Sequence, residues 1–136
     1  MPITYTSLND AARCYRLPCL APGPVKVWYL RSQTRWNERL ANIMFGQFEE
    51  INPRDLRATH ALLGCIDGGE SLEEVFRLLQ SERWSPNGEA RALIDAMRLD
   101  HIDMRVGDLL ETPSGIWVAA AFGFEQIAGL ATSKVS

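Results

Sequence analysis

The segment MRVGDLLETPSGIWVAAAFGFEQI, Met104 to Ile127, decides the fold. Val106-Gly107-Asp108 is turn chemistry feeding a short strand, and Pro113-Ser114-Gly115 reverses the chain. A second apolar strand then runs from Trp117 into Gly123-Phe124, which is read as sheet core. The segment is a β-hairpin. An isolated hairpin is marginal in water, so it calls for a third strand or a covering helix.

That strand is expected upstream. Val25 to Leu30 (VKVWYL) concentrates β-branched and aromatic residues and follows a stretch too rich in proline for a helix, Leu17 to Pro24. After the polar turn Arg31 to Thr34 the apolar period lengthens. Trp36, Leu40, Ile43, Met44 and Phe48 recur every three to four residues, the stripe of a helix ending near Phe48. Asn52-Pro53 reads as an N-cap with proline in the first turn. It would open a second helix over Asn52–Ile66, with Leu56, Leu63 and Ile66 buried and Gly68-Gly69 as the stop.

Ser71-Leu72-Glu73-Glu74 is a capping box before the stripe Leu72, Val75, Phe76 and Leu79, which Trp84 closes. Ala90, Leu93, Ile94 and Met97 give a further helix its face. The order is strand, three or four helices, then hairpin. That predicts an α+β fold: a small antiparallel sheet, made of the N-terminal strand plus the C-terminal hairpin, packed with three or four helices. The 136 residues form a single domain, 1–136, with 1–24 as a loosely ordered arm and 128–136 as a polar tail.

The 46% apolar and 23% charged composition is that of an ordinary globular chain. No apolar run is long enough to cross a bilayer, so no membrane partner is expected. Nor does the N-terminus resemble a secretory signal. Three cysteines do not suggest a disulfide framework, and a cytoplasmic location is expected. The charge of −3 is uneven. Residues 1–60 carry eight basic and five acidic side chains, and residues 61–136 carry six and twelve. Such polarity marks either a partner surface or surface composition alone.

Several constellations could carry chemistry. Cys14, Cys19, His60 and Cys65 are the only candidate zinc set, but their spacing is poor and buried apolar cysteines are the simpler reading. Cys65 with His101 lacks the cationic neighbours that activate a thiol. No phosphate loop or dinucleotide fingerprint occurs. No metal, cofactor or catalytic residue is therefore assigned, and the balance leans away from an enzyme.

Two binding sets remain. Lys26, Trp28, Arg31, Arg35 and Arg39 interleave cations with aromatic rings, a pattern that holds phosphates while a ring stacks on a base. The plainer reading turns the rings inward, and a pI near 5.4 argues against a dedicated nucleic-acid binder. The second set is Trp84, Asn87, Glu89, Arg91, His101 and Asp108. Here a turn with free amides and a planar arginine fork suits an anion, and flanking carboxylates would raise the pKa of His101. Its plainer reading is a capped turn with Trp84 packed beneath.

From Leu72 onward the chain resembles an uncharacterised family encoded on plasmids and prophages that carries a YodL-like C-terminal domain. The resemblance lies in Leu72, Glu73, Val75 and Phe76, the run Trp84 to Arg91, His101, Met104, Val106-Gly107-Asp108, Trp117 and Gly123-Phe124. Asp103 and Arg105 stand where the family pattern has serine on either side of the methionine. The resemblance implies a mobile-element accessory protein that acts by binding a host or element-encoded protein, with anti-restriction or anti-CRISPR-like occlusion as the expected role. A nucleic-acid-binding accessory or regulatory protein is the alternative. A small-ligand binder or enzyme centred on Trp84–Arg91 and His101 comes third.

Overall fold

Strand β1 (Val25–Leu30) has no wet face beyond Lys26, because five of its six residues are buried. Such a strand must lie inside a sheet with cover on both sides. The computed structural model, which describes residues 7–8, 24–32, 37–66 and 71–129, places it there. After β1 come helix α1 (Glu38–Met44) and two 3-10 turns, Phe48–Glu50 and Leu56–Ala58. Strand β2 (His60–Ile66) precedes helices α2 (Leu72–Leu78), α3 (Ser81–Trp84) and α4 (Arg91–Ala96), and strands β3 (Leu109–Thr112), β4 (Gly115–Ala120) and β5 (Gly123–Gly129) end the fold.

The five strands form one antiparallel sheet in the order β2-β1-β3-β4-β5. The N-terminal strand and the C-terminal hairpin therefore do share a sheet, with Trp28 opposite Leu109 and Leu109 opposite Val118. Alternation along β1 divides the interior into two cores. Val27 and Tyr29 pack with Val75 of α2, its C-cap Leu79, Trp84 of α3, and Leu93 and Ile94 of α4. Trp28 and Leu30 pack on the other face with Leu40 and Ile43 of α1, Phe48 and Leu56. The fold is α+β, with helices on both faces of a central sheet.

Four expectations are corrected. The segment Asn52–Ile66 is not a helix. Asn52 instead makes a turn, its Oδ1 accepting from the Arg54 N–H at 2.9 Å and its carbonyl from Asp55 N–H at 3.0 Å. One 3-10 turn follows, and then β2 pairs along the whole of β1. The apolar residues Ala61, Leu63 and Ile66 fit a helical stripe almost as well as a strand, and the open edge of β1 decides between them.

The first helix stops at Met44, because Gly46 takes φ +97 and Phe48 belongs to a separate 3-10 turn. The C-terminal hairpin is a three-stranded meander, so the strand continues past Ile127 to Gly129, inside the segment read as tail. At its second turn Phe122 is fully exposed and is not sheet core. The Gly68-Gly69 stop, residues 130–136 and most of the N-terminal arm lie outside the described residues, although Leu8 is buried in the first core.

Candidate functional site

The turn before β3 carries the densest polar network among the described residues. Arg105 and Asp108 close it, with Asp108 N–H donating to Arg105 O at 3.0 Å. Gly107 takes φ +99 at the third position, where a side chain is strained. Its N–H donates to Ala119 O at 3.0 Å, tying the turn to β4. Asp108 has no solvent exposure. One carboxylate oxygen accepts from Leu30 N–H at 2.7 Å and the other from Arg105 N–H at 2.9 Å. Both oxygens also face His101 Nε2, at 3.0 and 2.9 Å.

The other ring nitrogen of His101 lies 3.0 Å from Asp100 Oδ1, which also receives Arg105 Nη2 at 2.9 Å. With a carboxylate at each nitrogen, the ring is an imidazolium donating from both sides. Burial alone favours the neutral ring, but the hydrogen bonds and charges of Asp108, then Asp100, outweigh it and hold the pKa of His101 above the ordinary value. Tyr29 stacks on the ring at 4.6 Å between centroids. The tyrosine hydroxyl donates to Ile102 O at 2.9 Å, and burial, followed by the nearby Asp108 and Asp103 charges, raises its pKa well above the ordinary value. Arg105 Nε is buried with no acceptor.

His60 supports the same turn from the other side. Its Nε2 lies 2.7 Å from Gly107 O and its Nδ1 2.7 Å from Thr59 Oγ1. A carbonyl only accepts, so Nε2 carries the proton and Nδ1 takes the threonine hydroxyl. Burial pushes the His60 pKa below the ordinary value despite that bond. Neither histidine has a free lone pair for a substrate proton, which a general base needs.

The Trp84–Arg91 run is built as a capped turn. Trp84 is fully buried, with its indole N–H toward Ile102 O at 3.3 Å. Glu89 is buried and accepts from Asn87 N–H at 2.8 Å and from Asn87 Nδ2 at 3.2 Å. Ser85 Oγ accepts from Ala90 N–H at 2.9 Å. Arg91 and His101 do meet at one shallow depression of about 470 Å3, together with Ser81, Asp100, Asp103 and Arg105. Asn87 and Glu89 do not line it, and Asp108 lies beneath, reached through His101. Asp103 is not a hydrogen-bond partner of His101 and accepts instead from Ser81 N–H.

The basic set is dispersed. Trp28 is buried, its indole N–H donating to Glu111 Oε1 at 3.0 Å. Arg31 Nε donates to Arg57 O at 2.9 Å and Arg39 Nε to Glu50 O at 2.8 Å, so both pin backbone. Lys26 and Trp28 line one concavity, together with Arg54, Arg57, Asp55 and Glu111. Arg35, like Cys14 and Cys19, lies outside the described residues. Among the described residues no cluster of histidine, cysteine, aspartate and glutamate is suited to a metal ion. No helix there is long and apolar enough to cross a membrane.

Of the two carboxylates that flank His101 in sequence, Asp100 does bond the ring and Asp103 does not, while Tyr29 and Arg105 were not expected there. Asp108, already in the expected set, is the residue that links them. Sequence reasoning also missed Arg54 and Arg57, which lie in the segment expected to be helical. Compared with known proteins, the chain matches no protein-family model, no curated protein and no solved structure.

Proposed function

We propose that this chain is a non-enzymatic protein-binding module of a mobile genetic element, acting in the cytoplasm by covering the surface of a host or element-encoded protein. An anti-defence role of the anti-restriction or anti-CRISPR kind is the specific form. The genomic setting rests on the resemblance of residues 72 to 124. The binding role rests on one observation: Phe122, at the β4–β5 turn, is fully exposed.

A whole aromatic ring in water forgoes roughly 2 kcal/mol that burial would return. Beside it an apolar groove of about 300 Å3 runs between α2 and the turn, floored by Phe76, Ala120, Ala121 and Phe124, with Glu73 and Arg77 at its rim. The rings of Phe76 and Phe124 meet edge to face at 6.3 Å in this groove. A projecting ring next to a preformed apolar groove is the anatomy of an interaction hot spot. The partner is a protein that offers Phe122 an apolar pocket. The commitment of both described histidines to the turn before β3 also favours binding over catalysis.

Affinity purification from the host tests this reading. The wild-type chain should recover a stoichiometric subunit of a defence complex or nuclease, and Phe122→Asp should lose it while keeping its fold. Loss of a hot spot of about 2 kcal/mol corresponds to roughly 30-fold weaker binding. Recovery of chaperones alone, or equal recovery by Phe122→Asp, would count against it.

A further inference from the structure

On the sheet face that carries α1, Lys26, Arg54 and Arg57 surround one concavity of about 310 Å3. They reach it from β1, the Asn52 turn and the 3-10 turn before β2. None of the three belongs to an ion pair among the described residues. Asp55 and Glu111 line the same concavity, but Glu111 is engaged by the indole N–H of Trp28. Three cations against two carboxylates leave the lining net positive, and a concave, partly apolar wall focuses that field.

The cations are also positioned. Arg57 lies over the Trp28 ring at 5.4 Å, and its carbonyl holds Arg31 Nε at 2.9 Å. A guanidinium resting on an indole keeps its N–H edge free and loses little rotamer freedom when it binds. Arg54 is fixed at its backbone by Asn52 Oδ1. Donors arriving from three elements suit an oxyanion with oxygens in several directions better than a flat carboxylate. Trp28 is only 6% exposed, so no ring is open for a nucleobase to stack on.

We propose that this concavity binds a phosphate group, with Arg57 as the planar two-pronged donor and Lys26 and Arg54 as flanking charges. Recognition is of the phosphate and not of a base. The site is independent of Phe122, which belongs to a turn on the far side of the sheet order.

The test is an amide NMR titration of the full chain with inorganic phosphate at low ionic strength. A parallel arm uses a labelled DNA duplex of arbitrary sequence across a salt series. Saturable shifts at residues 26 and 54 to 57 are expected, with affinity at least tenfold weaker in the Arg54→Ala/Arg57→Ala double variant. Should that variant unfold, Lys26→Gln and Arg57→Lys carry the test; the second keeps the charge and removes the fork. Duplex binding whose salt slope falls by about two in the double variant would assign the phosphate to a nucleic-acid backbone. Binding of inorganic phosphate without the duplex would assign it to a small phosphorylated molecule. Absence of saturable shifts, or shifts undiminished in the charge variants, overturns the proposal.

Discussion

His101 Nε2 lies 2.9 Å from Asp108 Oδ2, under the ring of Tyr29 and with the carboxylate fully buried. The pair fastens the turn before β3 to the end of β1, since the same carboxylate holds Leu30 N–H. Its pH dependence has a definite sign. The folded pKa of His101 is raised, so its contribution is complete below the unfolded value of about 6.5 and is lost as pH rises through the folded value. His60 works in the opposite direction. Its folded pKa is lowered, so its contribution is complete above about 6.5 and is lost as pH falls toward the folded value. Urea unfolding between pH 5.5 and 8.5 should show His101→Gln losing the alkaline-side decline and keeping the acid-side one. A wild-type decline above neutrality that survives in His101→Gln would remove His101 as its source.

Asp108→Asn tests the carboxylate itself. An amide has one acceptor oxygen, whereas Asp108 receives Leu30 N–H on one oxygen and Arg105 N–H on the other. The substitution therefore sets an NH2 against a buried N–H and leaves the imidazolium without its main counter-charge. Breaking a buried pair from one side costs about 3–5 kcal/mol. Chemical denaturation should show a loss in that range, and a loss under about 1 kcal/mol would mean the network relaxes around the amide.

Gly107→Ala should be costly for a different reason. The residue sits at φ +99, and an added Cβ would lie 3.2 Å from Ile43 Cγ2 and 3.3 Å from Leu30 Cδ2. Backbone strain and crowding act together, for about 2 kcal/mol or more. The amide NMR signals of Leu30, Ile43 and His60 should move with the turn, because His60 bonds the Gly107 carbonyl.

How much of this was legible depends on whether a residue's role is local. The Ser71 cap could be read because its partner is three residues away, and Ser71 Oγ does accept from Glu74 N–H at 3.1 Å. The turn at Val106-Gly107-Asp108 was legible for the same reason. Strand β2 was not, because HALLGCI becomes a strand through pairing with β1, some 35 residues earlier in the chain. Misplacing β2 hid the phosphate concavity as well, since Arg54 and Arg57 share a concavity with Trp28 only when Asn52 makes a turn. Tyr29 over His101 is likewise a contact between distant segments that no local spacing records.

Arg98 offers the prediction with the opposite sign. It follows α4 at φ +57, and it is the only described non-glycine residue with positive φ. Arg98 N–H bonds Asp95 O at 3.0 Å and Leu99 N–H bonds Ile94 O at 3.0 Å, the paired bonds of a Schellman cap. That cap favours glycine, because an L side chain in the left-handed region costs about 1 kcal/mol or more. The Arg98 carbonyl also accepts from Ser32 Oγ at 2.8 Å, a backbone bond that a substitution preserves. The guanidinium makes no ion pair among the described residues, so little is lost with it. Arg98→Gly should therefore stabilise the fold by about 0.5–1 kcal/mol, with part of the gain offset by glycine's greater freedom in the unfolded chain. Thermal denaturation should register a rise of a few degrees. A fall would mean that the Arg98 side chain supports the β1 end of the fold through contacts worth more than the strain.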